Sequence, residues 1–230
     1  MSNGVLAGSA GPHVFVASQD HLVLDDDDLA HLERSLRMRS GDPLTVSDGL
    51  GAWAPAVLRS GGVLELTEPW REAPASIPEL TVAFSLVKGS KPELVVQKLT
   101  ELGVDRIVAL TADRSVVRWD EDKVDKATQR WRRIVREASM QSHRVRLPEI
   151  LGVVDSHSFF VSCDDVALAH FEGEAISSEH RCVAIGPEGG WSDRELASAT
   201  HRVSLGDTVL RAETAAIAVG VLLAATHRSM

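Results

Sequence analysis

The sequence predicts an α/β protein: a mostly parallel sheet with covering helices, preceded by a small β-rich domain. From Leu80 onward, apolar runs of strand length alternate with amphipathic stretches of helix length, the pattern of a parallel sheet joined by crossover helices. Residues 43–68 instead read as short strands separated by Asp48-Gly49 and Ser60-Gly61-Gly62, which is hairpin punctuation. Between the two textures, residues 68–78 carry three prolines and little periodicity, as an interdomain linker does. The expected division is a β-rich domain over 1–72, a linker over 73–79 and an α/β domain over 80–230.

Taken in order, residues 1–12 are small and polar and are expected to fray. His13-Val14-Phe15-Val16 is the first strand. Asp25–Asp28 opens a helix carrying Leu29, Leu32, Leu36 and Met38 as its apolar stripe, with Gly41 as its C-cap. Acids at the start and Arg34, Arg37 and Arg39 at the end suit the helix dipole. A metal site is the weaker reading of the aspartate run, because hard cations need ligands spaced around a loop. Strands then follow at 43–47, 52–58 and 63–66. In the second part, strands are expected at 80–87, 106–111, 166–170, 181–186 and 202–205, with a weaker one at 159–163. Helices are expected at 91–102, 120–142, 192–200 and 212–227. The first has Ser90 as N-cap, Pro92 in its first turn and Gly103 beyond its end. The second lines Val124, Ala127, Trp131, Ile134, Val135 and Ala138 along one face. The third opens on Ser192-Asp193-Arg194-Glu195, a capping box.

Composition narrows the function classes. A chain of 230 residues, 44% hydrophobic and 25% charged, has the make-up of a soluble globular protein with a sizeable core. A net charge of −9 argues against coating nucleic acid non-specifically, which needs phosphate neutralisation, but leaves room for a local basic patch. No apolar run approaches the roughly 20 residues of a membrane span, and the N-terminus lacks the basic start and apolar core of a signal peptide. A cytoplasmic location is the default expectation. Cys163 and Cys182 are expected as buried free thiols. The nine histidines form no HxxxH, HExxH or Cys/His cluster, so no metal is expected.

Four segments can carry chemistry. Ile185-Gly186-Pro187-Glu188-Gly189-Gly190-Trp191 follows a strand and leads into the capped helix, where open α/β sheets hold ligands. It is neither a Walker loop nor GxGxxG, and glycine-rich turns also occur without ligands. Ser204 to Ala216 repeats the strand–turn–helix arrangement, with Arg211, Glu213 and Thr214 where a helix begins; taken alone, these could simply be helix-start and surface residues. Two such turns so close together favour one shared pocket. The third segment is the basic helix around Arg130, Arg132, Arg133 and Arg136, continuing to Gln141 and Arg144. Arginine suits phosphate through its bidentate fork, but a solvated face paired with Glu121, Asp122 and Asp125 reads equally well. The fourth is Lys88-Gly89-Ser90-Lys91, near a helix N-terminus, where anions are favoured.

In this order, Lys88-Gly89 with Gln97–Gly103, Glu137-Ala138 with Gln141-Ser142 and Arg144, Pro148-Glu149-Ile150, Ile185–Gly190, and Leu205-Gly206 with Leu210-Arg211 and Glu213–Ala215 resemble the bacterial 16S ribosomal RNA (uracil-N3) methyltransferases. The resemblance covers residues 80–230 well and 13–68 weakly. It implies a trefoil-knotted SPOUT methyltransferase domain, a PUA-like N-terminal barrel that helps grip RNA, and a homodimer. It also implies the cofactor S-adenosylmethionine, held around Ile185, Gly186, Gly190, Leu205, Gly206, Leu210 and Thr214. The implied substrate is one uridine of 16S ribosomal RNA, free or in the assembled small subunit.

Uracil N3 is a poor nucleophile while protonated, so the reaction needs proton removal, alignment and stabilised charge. Arg211 is the candidate for that charge, and Glu188 and Glu213 are rival bases. Lys88, Lys91, Arg132, Arg133, Arg136, Gln141 and Arg144 are the candidate RNA contacts. Two other readings remain: a knotted methyltransferase acting on a ribose 2′-hydroxyl or another base, and a non-catalytic RNA-binding assembly factor. A nucleotide hydrolase is disfavoured by the missing Walker lysine.

Overall fold

The computed structural model describes residues 11–163 and 165–228; most of the segment expected to fray, residues 1–10, lies outside them. The chain divides into two compact units, Met1–Ser76 with Arg136–Leu147, and Ile77–Val135 with Pro148–Met230.

In the first unit, β1 (His13–Phe15) runs parallel to β2 (Pro43–Ser47). Strand β3 (Ala52–Leu58) pairs antiparallel with β2, β4 (Leu64–Leu66) and β5 (Arg71–Glu72). Every second residue of β3, from Ala52 to Leu58, is buried, the period of a strand with one face on a core. That core gathers Val14, Leu32, Leu44, Val46, Ala54 and Leu64. The proline-bearing stretch 68–78 thus contributes β5, which lies before the linker expected at 73–79. Asp25 caps α1 (Asp26–Ala30), its carboxylate accepting the Asp28 N–H at 2.8 Å. The helix continues as one wide turn over His31–Ser35 and stops short of Gly41, a correction to the expected C-cap. Arg37 takes the left-handed conformation at φ 57°, and the Gly41 N–H instead bonds Leu58 O at 2.8 Å.

The segment 136–147 belongs to this unit through specific bonds. Arg136 reaches Asp28 at 2.5 Å and Phe15 O at 3.1 Å. Arg146 bonds Glu72 at 2.7 Å and Ala73 O at 2.8 Å. His13 is buried and hydrogen-bonded to Thr45 at 2.9 Å and Ser47 at 3.2 Å. Burial first, and the nearby His143 second, lower its pKa to about 3, so its ring is neutral at ordinary pH.

The second unit is α/β. Its sheet runs β11-β9-β10-β6-β7-β8, with every neighbouring pair parallel. The strands are β6 (Thr81–Ser85), β7 (Arg106–Thr111), β8 (Glu149–Asp155), β9 (Val166–Ala175), β10 (Cys182–Ile185) and β11 (His201–Ser204). Between them lie α2 (Lys91–Glu101), α3 (Glu121–Gln141), α4 (Ser156–Ser162) and α5 (Asp193–Ala197), and α6 (Ala212–Arg228) follows β11. The chain builds outward from β6 through β7 to β8, then crosses back to place β9, β10 and β11 on the other side. The order therefore reverses between β6 and β10.

Two sequence expectations are corrected. Residues 159–162 belong to a helix, α4, capped by Asp155, which accepts the Ser158 N–H at 3.0 Å, and Cys163 follows its end in an extended conformation. A short run containing Phe159 and Phe160 is buried in either conformation, so periodicity could not separate them. Strand β8 was missed because Gly152, at φ 78°, interrupts it, and its exposure is irregular. Helix α3 buries Trp131, Val135 and Ala138 on the face the heptad-like spacing picked out. Helix α6 lies so close to α2 that a Cβ at Gly220 would fall 2.7 Å from the Leu99 side chain. Gly220 therefore permits the approach.

Candidate functional site

Strands β10 and β11 flank β9 on either side, and each runs into a turn before a helix. The two turns and the adjoining part of β9 line a cleft of about 550 Å³, a volume within the range of small-molecule sites. Ile185, Gly186, Glu188, Gly190, Leu205, Gly206, Leu210 and Arg211 all line it. The sequence thus brought eight of its named residues to one place. Glu213 and Thr214 are not among the lining residues. Thr214 is exposed on the first turn of α6, where the helix turns its side chain away from the apolar wall formed by Ala212 and Ala215.

The first turn is held on several sides. Trp191 is buried and donates its indole N–H to Ala169 O at 3.2 Å. Its ring meets Phe160 edge-on, with centroids 5.7 Å apart. Gly186 sits under the same indole, and a Cβ there would come within 3.0 Å of it. Gly190 turns the chain at φ 70°, its N–H bonding Pro187 O at 2.8 Å. The capping box at α5 forms as the sequence predicted, but the structure gives Glu195 a wider task. This carboxylate is fully buried. It accepts Asp113 N–H at 3.0 Å, the Ser156 hydroxyl at 2.8 Å and Ser192 N–H at 2.8 Å. It thereby joins the segment after β7, the start of α4 and the start of α5. The Ser192 hydroxyl donates to Asp113 at 2.5 Å, and His157 lies 3.1 Å from the same carboxyl. The Ser192 bond first and His157 second hold the Asp113 pKa below its usual range.

The second turn carries Gly206 at φ 114°, and its N–H bonds the Ser204 hydroxyl at 3.3 Å. Thr208 and Val209 line the cleft with Leu210 and Arg211. Val209 is 82% exposed. Arg211 is exposed, so its guanidinium is available to a ligand. At both Gly190 and Gly206 a Cβ would meet nothing within 4 Å, so the backbone is bare toward open space.

The rival glutamates differ. Glu188 is exposed in the cleft. Glu213 is mostly buried and bound to Lys91 at 2.8 Å. Burial pushes its pKa up, but the Lys91 hydrogen bond and charge outweigh it, and the carboxyl rests below the usual range. The Lys91–Glu213 pair ties α2 to α6.

The basic segment separates in the same way. Lys88, Arg132, Arg133 and Gln141 are exposed. Arg136 is committed to Asp28 and Phe15 O, and Arg144 is buried with 6% exposure. Both side chains are held within the fold rather than standing open to solvent. Sequence reasoning also missed cleft residues. Arg114, whose guanidinium donates to Gly189 O at 3.4 Å, lies just beyond the end of β7, a position the parallel-strand rule could have flagged. The wall formed by Ala169, His170 and Phe171 had no motif to reveal it.

Known proteins show close relatives. A family model described as an RNA methyltransferase domain matches residues 74–224. The chain is 34% identical over 226 residues to Ribosomal RNA small subunit methyltransferase E of Mycobacterium bovis, covering 87% of this chain and 86% of that protein. It is 31% identical over 220 residues to the protein of the same name from Bacillus subtilis, covering 82% and 84%. Among solved structures, a Legionella pneumophila protein described as a methyltransferase, with the cofactor S-adenosylmethionine bound, matches with a TM-score of 0.79. It is 26% identical and covers 94% of this chain and 98% of its own.

Proposed function

Because this chain belongs to the ribosomal RNA small subunit methyltransferase E family, we propose that it methylates N3 of one uridine in 16S ribosomal RNA, using S-adenosylmethionine bound in the cleft. The carrying observation is the cleft itself: two strand-to-helix turns meet there, with Arg211 in its wall. The residues present fit the cofactor. The bare backbone at Gly190 and Gly206 leaves room for close approach, and Ile185, Leu205 and Leu210 offer apolar surface to a flat ring. The peptide groups of both turns can bond an adenine edge and a ribose. When bound, the cofactor supplies a methyl group made electrophilic by its sulfonium.

The chain's own groups do the rest. Glu188 takes the N3 proton, a role its exposure in the cleft supports and the Lys91-bound Glu213 lacks. The Arg211 guanidinium stabilises the negative charge that proton loss leaves on the base. Lys88, Arg132, Arg133 and Gln141 contact RNA phosphates and orient the target. The base must leave its stack to enter the cleft, which unpaired RNA permits at least cost.

The finer architecture follows the same reading. The second unit is a trefoil-knotted SPOUT domain, in which β10, α5, β11 and α6 form the threaded part. The first unit is a PUA-like barrel that helps hold RNA. The enzyme works as a homodimer in the cytoplasm; the exposure of Phe171 (63%) and Val209 (82%) beside the cleft supports coverage by a second copy. Among the described residues no helix is long and apolar enough to cross a membrane.

The test uses labelled S-adenosylmethionine with small ribosomal subunits lacking base methylation, followed by nucleoside analysis. Labelled 3-methyluridine is the expected product; a ribose-methylated or other nucleoside overturns the N3 assignment. Arg211→Ala should lower turnover about 100-fold, the scale of losing one charge-stabilising donor, while cofactor affinity changes less than about twofold.

A further inference from the structure

Away from the cleft lining, the chain's two cysteines meet. Cys163 and Cys182 are both free thiols, and their sulfurs lie 3.1 Å apart, the Cys163 thiol donating to the Cys182 sulfur. We propose that this pair is an oxidisable dithiol, which hydrogen peroxide converts to an intramolecular disulfide. Nothing in this chemistry depends on methyl transfer.

The sheet brings the two residues together. Cys182 begins β10, and its ladder partner on β9 is Val166, which follows Cys163 closely in the chain. Cys163 leaves the end of α4 in an extended conformation, at φ −119° and ψ 106°. A disulfide needs its sulfurs at about 2.05 Å, so closure asks for a contraction of about 1 Å. Cys163 supplies the movement, because it stands outside both the helix and the ladder. Cys182 is pinned between β6 and β9.

The two thiols differ as a peroxide-reactive pair must. Cys182 is buried in an apolar cluster with Phe159, Phe160 and Leu168, whereas Cys163 is only partly buried at its edge. The hydrogen bond with Cys163 first, and burial second, push the Cys182 thiol pKa up. Cys182 therefore keeps its proton and can donate it to a Cys163 thiolate, and Cys163 is the sulfur that meets the oxidant. That thiolate attacks one oxygen of the peroxide; the O–O bond breaks, leaving a sulfenic acid on Cys163 and a hydroxide, which the Cys163 proton neutralises. The Cys182 sulfur then attacks Cys163 Sγ. The S–O bond breaks, and the departing hydroxide takes the Cys182 proton. Two thiols and one hydrogen peroxide thus give one disulfide and two waters, with two electrons passing from sulfur to oxygen. The new bond closes a loop that contains all of β9, including the Ala169, His170 and Phe171 wall of the cleft. In a reducing compartment such a bond is transient, the behaviour of a redox-responsive pair rather than a structural one.

The test treats reduced full-length protein with a small excess of hydrogen peroxide. The intact mass should fall by two hydrogen atoms, both thiols should vanish from a denaturing thiol titration, and a digest should link Cys163 to Cys182. A dithiol reductant should reverse all three. Cys182→Ser should stop at the sulfenic acid, captured on Cys163 by a 1,3-dione. Cys163→Ser should slow oxidation of the remaining thiol at least about tenfold; if Cys182→Ser fails to fold, Cys163→Ser decides. Survival of both thiols, a disulfide between chains, over-oxidation of Cys163 without a link, or unslowed oxidation of Cys163→Ser overturns the proposal.

Discussion

The two turns that line the cleft are built on opposite plans. The 185–191 turn is fixed through buried groups: Trp191 is bonded to β9 and packed on Phe160, and Glu195 gathers three donors from three segments. The 204–211 turn is exposed along much of its length, with Val209 at the surface and Gly206 making its bend. One half of the cleft is a preorganised platform, and the other presents side chains, Arg211 above all, to whatever enters. Under the proposed function, a cleft that holds a cofactor and admits a base has reason to divide the tasks so.

That division can be broken at the platform first. Trp191→Ala removes a buried indole and should cost about 3–5 kcal/mol, read as a lower denaturation midpoint together with weakened cofactor binding. Glu195→Ala should cost about 1–3 kcal/mol, the penalty of stranding buried donors, and should lower cofactor affinity without touching the cleft's lining. In the exposed half, Val209→Ser should change stability by less than about 0.5 kcal/mol. If its stability falls as far as that of Trp191→Ala, the contrast between the turns is wrong. Arg211→Ala sharpens the comparison from the other side, because turnover should fall while the denaturation midpoint stays put.

A fifth prediction concerns the first unit. His13 stays neutral in the folded state down to about pH 3, whereas the unfolded chain takes up the proton near 6.5. Stability from this group is therefore complete above pH 6.5 and lost as the pH falls from 6.5 toward 3, by an amount on the order of a few kcal/mol. His13→Gln should flatten that part of the pH–stability curve, as measured by denaturant titration at several pH values.

The α/β class, the positions of most strands along the chain and the two turns that carry eight cleft residues were legible because each rests on local signals: apolar runs, capping residues and glycines at strand ends. Charge density was a poorer guide. Arg132 and Arg136 look alike in sequence, yet one is exposed and the other is bound to Asp28 across more than a hundred residues. Glu195 was readable as a capping residue, but its bonds to Asp113 and Ser156 depend on segments that only the fold brings near. The membership of 136–147 in the first unit was hidden for the same reason, since Arg146 finds Glu72 and Ala73 only in three dimensions. Strand β8 and helix α4 escaped because a glycine interruption and a short aromatic run erase the periodicity.

Strand β9 offers a different lesson. Its partners on β11 jump from Leu168 opposite Arg202 to Glu174 opposite Val203, so the five residues between them stand outside the ladder. Ala169, His170 and Phe171, which wall the cleft, come from this excursion. The sheet's register does not dictate how many residues it holds. Lengthening or shortening it would reshape that wall of the cleft, while the strands on either side kept their pairing. Selectivity in such a scaffold can therefore drift by insertion and deletion at one spot, without asking the core to be rebuilt.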